Sequence, residues 1–298
     1  MNKNNLILFL IIILVISGIL LVILYFDNLN WQGGDENQTT SHIYTNTTPP
    51  SHTVKLIFIH HSTGENWLSD ENGGLGIALR DNNYFVSDTN YGWGPDSIGD
   101  LTDIGHWWLW FRGPDSSKYT DALYNESGQN CEYSRLSSDP GGENEIIIFK
   151  SCFPNSALQG SSSDVVPSIA SNPLKGESSD SEFHTVANAK GIYIDLLEYF
   201  KTRQDKLFIV VTAPPLSDPT YAENAHSFNQ WLVNDWLDDY PYKNVAVFDF
   251  YSVLTNGGNT LAYPSSWGDD HPSQAGNQKA TQEFTNFLNN AYHEWKDE

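Results

Sequence analysis

Four short apolar runs and a weaker one at Tyr84–Asn90, each the length of a buried strand, constrain the fold of this 298-residue chain more than any other feature. Longer stretches with apolar residues at helical spacing lie between them, as with Ile192, Leu196 and Phe200. Strands that read as continuous apolar runs and alternate with helices are typical of a parallel sheet covered on both faces. The pattern therefore predicts an α/β fold, a three-layer α/β/α sandwich with a mostly parallel five-stranded sheet. The predicted strands are Val54–His60, Tyr84–Asn90, Glu145–Lys150, Lys206–Thr212 and Val245–Phe250.

The stretch from residue 92 to residue 144 does not follow this alternation and is long for a connection. It is rich in aromatic residues, among them Trp93, Trp107, Trp108 and Trp110. We interpret it as an insertion over the carboxyl edge of the sheet. Most of its rings should belong to the core, and a few should line a groove. Helices are predicted at Glu65–Arg80, interrupted by Gly73-Gly74, and at Glu182–Arg203, Tyr221–Asp239 and Pro272–Trp295.

The amino-terminal segment is chemically different from the rest of the chain. Leu6 to Phe26 form a nearly unbroken apolar run that is long enough to cross a bilayer as a helix. Lys3 precedes the run and Asp27 follows it, which places the amino terminus in the cytoplasm and the remainder outside. A cleaved signal peptide is the alternative, but no A-x-A-like site follows Phe26.

The domain organisation follows from these segments. Residues 1–27 are predicted to be a transmembrane anchor or signal sequence, residues 28–53 a flexible polar linker, and residues 54–298 the folded domain. We therefore expect a single-pass protein of the cell membrane with its domain extracellular. The protein would be secreted if the apolar segment is cleaved.

The net charge excludes nucleic acid as a partner, and the spacing of the cysteines and histidines argues against a metal site. The chain has 15 basic and 37 acidic residues and a net charge of −22, which repels phosphate backbones and excludes nucleic acid as a partner. Cys131 and Cys152 either form an extracellular disulfide or remain buried thiols, and neither has a partner at zinc-ligand spacing. His60 and His61 are adjacent on a strand and point to opposite faces, so they do not chelate one ion. We expect no metal site.

A serine at the end of the first strand carries the chemical hypothesis. Ser62 lies in a His-His-Ser-Thr-Gly sequence at the strand end, where open α/β sheets bind ligands. A nucleophilic serine needs a base, and the base needs an orienting acceptor. His271 precedes the last predicted helix, with Asp269 and Asp270 in the same turn. Asn155 follows the third strand, so its amide and the Ser62 N–H are candidate oxyanion donors. The alternative is that Ser62 only caps a helix.

This order resembles the SGNH, or GDSL-like, hydrolase superfamily over nearly the whole exported part of the chain. In that superfamily a nucleophilic serine follows the first strand, a glycine follows the second and an asparagine follows the third. An Asp-x-x-His pair precedes the last helix. The resemblance implies a flavodoxin-like sheet without a cofactor, with Ser62 as nucleophile and His271 as base. It also implies Gly92, or alternatively Gly94, and Asn155 as oxyanion donors.

The chain departs from the family pattern in the sequence around Ser62, which is not Gly-Asp-Ser, and in the carboxylate that should orient the histidine. Gly268 occupies the position three residues before His271, where the superfamily has aspartate. The orienting carboxylate must then be Asp269 or Asp270. Asp269 is preferred because it is nearer the expected position.

The function that the resemblance implies is a serine esterase acting on carboxylic esters. The aromatic insertion and the predicted export favour O-acetyl esters of carbohydrate as substrate. The departures from the family pattern favour an alternative, a catalytically inactive surface protein that binds glycan on the same fold.

Overall fold

The fold was obtained as a computed structural model, and the structure describes residues 44–297. The predicted transmembrane segment and most of the predicted linker, residues 1–43, lie outside the described residues. Within residues 44–297, no helix is both long and apolar enough to span a bilayer.

The predicted α/β architecture is confirmed. All five strands occur within two residues of their predicted ends and form one parallel sheet in the order 2-1-3-4-5. Every residue of the first four strands is buried, because helices cover both faces of the sheet. The strands are β1 Val54–Ile59, β2 Tyr84–Thr89, β3 Ile146–Lys150, β4 Leu207–Val211 and β5 Val245–Phe248.

Side chains that alternate along the strands build two separate cores, one on each face of the sheet. Ile57 and Phe149 belong to the first core, and Phe58 and Ile148 belong to the second. The third, fourth, fifth and sixth helices pack on the first face, and the remaining helices pack on the second. The helices are α1 Thr63–Leu68, α2 Leu75–Asp81, α3 His106–Phe111, α4 Ser116–Asn125, α5 Val186–Phe200, α6 Ala222–Asn234, α7 Phe250–Thr255 and α8 Gln274–Lys296.

The aromatic insertion contains helices α3 and α4, which the sequence pattern did not predict. Trp107 and Trp110 are completely buried in the first core, where Trp107 packs edge-on against Phe149 of β3. Trp93 stacks on Trp110 with ring centroids 5.9 Å apart. These three tryptophans are therefore core residues, and they fix the insertion to the sheet.

The end of the predicted flexible linker is hydrogen-bonded to the folded domain. Asn290 of α8 accepts hydrogen bonds from Thr45 N at 2.8 Å, and Asn289 donates to Thr47 O at 2.9 Å. Asn83 donates to Pro50 O at 2.8 Å. Asparagine side chains thus replace water as hydrogen-bond partners for backbone groups of residues 45–50. This part of the segment therefore lies on the domain.

Candidate active site

The turn that carries Ser62 has a strained backbone. Ser62 lies between β1 and α1 with φ 31° and ψ −84°, a region that residues with a side chain rarely adopt. Such strain costs roughly 1–3 kcal/mol and is concentrated at functional sites. The hydroxyl of Ser62 makes no cap to α1, so the alternative of a simple helix cap does not apply. At Gly64, a Cβ would lie 2.3 Å from the His60 Cβ, which makes glycine necessary there.

The structure brings Ser62, His271 and Asp269 into one hydrogen-bonded chain. The Ser62 Oγ–His271 Nε2 distance is 2.6 Å, and the His271 Nδ1–Asp269 Oδ1 distance is 2.7 Å. Because the carboxylate accepts from Nδ1–H, Nε2 is the unprotonated nitrogen that faces the hydroxyl. Asp270 points elsewhere and accepts from the Ser217 N–H at 2.7 Å. Asp269, and not Asp270, therefore forms the hydrogen bond to the histidine ring.

The loop around Asp269 explains why the carboxylate is displaced from the family position. Gly268 has φ 78°, a left-handed conformation in which an aspartate would be strained. The Ser265 hydroxyl donates to Asp269 Oδ2 at 2.5 Å, and the His271 N–H donates to Asp269 Oδ1 at 2.9 Å. The Ser265 hydroxyl, followed by the His271 backbone and ring, holds the pKa of Asp269 well below its usual range. The carboxylate therefore stays ionised. Ser265 is a supporting residue for which the sequence had no distinguishing signal.

The two predicted oxyanion donors form hydrogen bonds with other groups. Gly92 N–H donates to Asp100 Oδ1 at 2.7 Å. The buried Asn155 amide donates to Asp103 Oδ1 at 2.6 Å and to the Cys152 carbonyl at 3.3 Å, and its oxygen accepts from the Ile104 N–H. These contacts tie the end of β3 to the insertion. The structure does not bring Gly92 or Asn155 into hydrogen bonding with Ser62.

One backbone donor at the site is not engaged. The Ser62 N–H has no acceptor among residues 44–297. It lies in the same residue as the Oγ that would attack a carbonyl carbon. This amide is therefore available to bind the oxygen on which negative charge develops.

The two histidines before Ser62 have separate partners. His61 donates from Nε2 to the Gly99 carbonyl, accepts from the Thr102 hydroxyl at Nδ1, and stacks on Tyr91 with ring centroids 3.9 Å apart. Burial lowers the pKa of His61, so its ring is neutral and holds the insertion beside the nucleophile. His60 is fully buried, and its Nε2 lies 3.2 Å from Asp88 Oδ2.

The two cysteines are free thiols in different surroundings. Cys152 Sγ lies 3.4 Å from the Thr63 hydroxyl, which also accepts from the buried Lys150 ammonium. Burial opposes ionisation of the Cys152 thiol, but the Lys150 charge and hydrogen bonds from Thr63 and Phe153 outweigh it and lower its pKa. Burial, with the Asp88 carboxylate beside it, raises the pKa of the Cys131 thiol. Of the two sequence alternatives, the structure shows thiols.

Exposed aromatic side chains flank the triad. Trp267 is 100% exposed and lies two residues before Asp269, and Tyr91, immediately before the insertion, is 63% exposed. Phe153, after β3, packs edge-on against the His271 ring at 5.0 Å. Trp267 and Tyr91 expose more of their rings than the tryptophans of the insertion do, so these rings are available to a ligand.

Comparison with known proteins returned two solved structures. No family model matches the chain, and no curated relative matches it. One match is a carbohydrate esterase whose active site was described as displaying divergent catalytic and non-catalytic binding functions. It is 14% identical with a TM-score of 0.40, and the alignment covers 83% of this chain and 68% of that chain.

The other match is a family two carbohydrate esterase from Clostridium thermocellum in complex with cellohexaose. It is also 14% identical, with a TM-score of 0.42, and the alignment covers 83% of this chain and 66% of that chain. Both structural neighbours are thus carbohydrate esterases. At TM-scores below 0.5, neither likeness decides the activity of this chain, which must be inferred from its own side chains.

Proposed function

We propose that this protein hydrolyses carboxylic esters by nucleophilic catalysis at Ser62. The observation that carries the proposal is the continuous chain Ser62 Oγ–His271 Nε2 and His271 Nδ1–Asp269 Oδ1, at 2.6 and 2.7 Å. These distances are within the range in which a base activates a serine and a third group orients the base. Ser62 follows β1 at the carboxyl edge of the sheet, on a strained turn between a strand and a helix, which is the arrangement of a nucleophile elbow.

The mechanism follows from this geometry. Ser62 Oγ forms a bond to the carbonyl carbon while its proton passes to His271 Nε2. The bond to the alcohol then breaks, and the alcohol leaves with that proton. A water molecule attacks the acyl-enzyme in the same way, with His271 as base, and releases the carboxylic acid and free Ser62. Ionised Asp269 orients the ring and stabilises its positive charge. The scheme uses no cofactor.

Stabilisation of the oxyanion is assigned first to the Ser62 N–H, which has no other acceptor in the described part of the chain. The roles of Gly92 and Asn155 as further donors stay predictions. For either group to serve, it must exchange its present bond to Asp100 or Asp103 for the substrate oxygen.

The catalytic proposal is tested by replacing the nucleophile. Ser62→Ala should lower kcat for a short-chain aryl ester by at least about 1,000-fold and abolish labelling by a fluorophosphonate. Ser161→Ala is the matched control, because Ser161 lies on an exposed loop and its hydroxyl contacts Ser163. Equal activity of Ser62→Ala and wild type would contradict the assignment.

O-acetyl esters of carbohydrate are the proposed substrate class, supported by the exposed rings of Trp267 and Tyr91 beside the triad. A flat aromatic face with a polar edge suits a sugar ring, which is apolar on one face and bears hydroxyls at its rim. Trp267→Ala should raise KM for an acetylated polysaccharide about two- to tenfold and leave an aryl acetate nearly unchanged.

The matched control for the substrate test is Tyr242→Ala. Tyr242 is an exposed aromatic that precedes β5, at the amino-terminal ends of the strands, whereas Ser62 follows the carboxyl end of β1. A Trp267→Ala enzyme with unchanged polysaccharide kinetics would remove the support for a carbohydrate substrate.

Export and membrane attachment are proposed from the sequence alone. The apolar run Leu6–Phe26 is the only support, together with the charges that flank it. Protease added to intact cells should digest the domain, and the full chain should fractionate with membranes. A chain recovered in the cytoplasm and protected from protease would contradict both.

A non-catalytic glycan-binding protein is the second candidate. The specific observation that favours it is that the Gly92 N–H and the Asn155 amide nitrogen already donate to protein acceptors. Folded protein that binds polysaccharide but neither hydrolyses esters nor takes up a fluorophosphonate at Ser62 would establish this alternative.

A further inference from the structure

Three side chains of different segments meet beneath the Ser62 turn. His60 follows β1, Asp88 is the penultimate residue of β2, and Cys131 belongs to the irregular part of the insertion. His60 Nε2 lies 3.2 Å from Asp88 Oδ2 and 3.8 Å from Cys131 Sγ, and the three ligand atoms all lie within 4.8 Å of one another.

The two distances from His60 Nε2 are close to edges of a tetrahedral zinc site. With Zn–N and Zn–O bonds of about 2.0–2.1 Å and a Zn–S bond of about 2.3 Å, tetrahedral angles separate N from O by about 3.3 Å and N from S by about 3.6 Å. We propose that His60, Asp88 and Cys131 bind a divalent cation of the zinc class, with a water molecule as the fourth ligand.

The charges of the three groups also suit this ion. His60 and Asp88 are both 0% exposed, and a buried carboxylate requires a strong compensating partner. A divalent cation bound to one carboxylate, one thiolate and one neutral imidazole leaves no net charge in the interior. Binding transfers the thiol proton to solvent, so atoms and charge balance. Imidazole, thiolate and carboxylate together form a donor set typical of zinc.

The surroundings hold Asp88 in position for a ligand. Its second oxygen, Oδ1, accepts from the Asn130 N–H at 2.8 Å and from the Tyr133 hydroxyl at 2.9 Å. Hydrogen bonds of this kind orient a ligand and tune the metal. Cys131 is half-buried, whereas His60 and Asp88 are fully buried, so we place the water ligand on the Cys131 side.

The site would join the nucleophile turn to the insertion. His60 is two residues before Ser62, and its Cβ packs against Gly64, so fixing the His60 ring fixes this turn. The sequence predicted no metal site because His60 and His61 point to opposite faces of a strand and because neither cysteine has a partner at zinc-ligand spacing. His61 is bonded to Gly99 and Thr102 instead, and the partners of His60 come from distant parts of the chain.

The test uses untagged full-length protein, stripped with a chelator and then loaded with Zn²⁺ or Co²⁺. We expect about one ion per chain after gel filtration, and a thiolate-to-cobalt charge-transfer band in the Co²⁺ form. Cys131→Ser should lose the band, and Asp88→Asn should weaken affinity by roughly 10- to 100-fold. Cys152→Ser, the matched thiol control, should keep both the stoichiometry and the band.

A second measurement does not depend on whether the variants fold. In wild-type protein, Zn²⁺ should protect Cys131 from alkylation and leave the reactivity of Cys152 unchanged, as read by peptide mass. Loss of bound ion on gel filtration, a Co²⁺ form without the band, or equal alkylation of Cys131 with and without Zn²⁺ would each overturn the site. The His60–Asp88–Cys131 group would then be a hydrogen-bonded cluster only. None of these readouts depends on esterase activity.

Discussion

Replacing Asp269 by asparagine provides the sharpest test of the proposed triad, because its neighbour supplies a matched control. Asp269 Oδ1 accepts from both the ring and the backbone N–H of His271. Asp270 bonds the Ser217 N–H and does not contact the ring. We expect Asp269→Asn to lower kcat about 100-fold and Asp270→Asn to change it less than about threefold.

The magnitude follows from two features of the loop. The backbone N–H of His271 favours the carboxamide oxygen at the present Oδ1 position, so the ring keeps its tautomer and only the negative charge is lost. In addition, Asp269 is 37% exposed, and water screens its charge more than that of a buried carboxylate. The expected loss is therefore smaller than the roughly 10⁴-fold found where the carboxylate is buried and the tautomer is wrong.

The assay is steady-state hydrolysis of an aryl acetate, with kcat and KM determined separately. The loss should be in kcat, because Asp269 stabilises the imidazolium that forms only during the reaction. If Asp269→Asn retained more than about a third of wild-type kcat, Ser62 and His271 would act as a pair without a carboxylate. If Asp270→Asn were the slower enzyme, the assignment of the two aspartates would be reversed.

Two further predictions concern the packing of Gly64 after the Ser62 turn and the ionisation of buried Lys150. Gly64→Ala should lower the free energy of unfolding by about 1–3 kcal/mol in urea denaturation, because its Cβ would overlap the His60 Cβ. Gly258→Ala, where the nearest atom would be 3.4 Å away, is the control, and an equal loss in both variants would contradict the packing argument. Burial lowers the pKa of Lys150, so at pH values between its folded and unfolded pKa the unfolded chain holds a proton that the folded chain has released. The stability of wild type relative to Lys150→Met should therefore rise with pH from the folded pKa of Lys150 up to about 10.4, and parallel stability curves would contradict this.

Much of the fold was predictable because its signals are local. β1, β3, β4 and β5 are mostly apolar runs bounded by polar or turn residues, and such runs have few alternatives in a chain of this length. β2 is apolar only in its first half and gave a weaker signal. Helices α3 and α4 were missed because they are only 6 and 10 residues long, and α3 is apolar on nearly all sides, so no amphipathic pattern marks it. Their conformation depends on packing against β3, as the contact of Trp107 with Phe149 shows.

The sequence by itself determined the parallel sheet and the position of Ser62 at its carboxyl edge, since both follow from residues close together in the chain. Only the tertiary structure decided which aspartate hydrogen-bonds to His271, because the left-handed backbone at Gly268 sets the direction of the next side chains. It also decided the partners of Asn155. The tertiary structure likewise brings His60, Asp88 and Cys131 together. These residues are far apart in sequence and become neighbours only when the strands pair and the insertion folds over them.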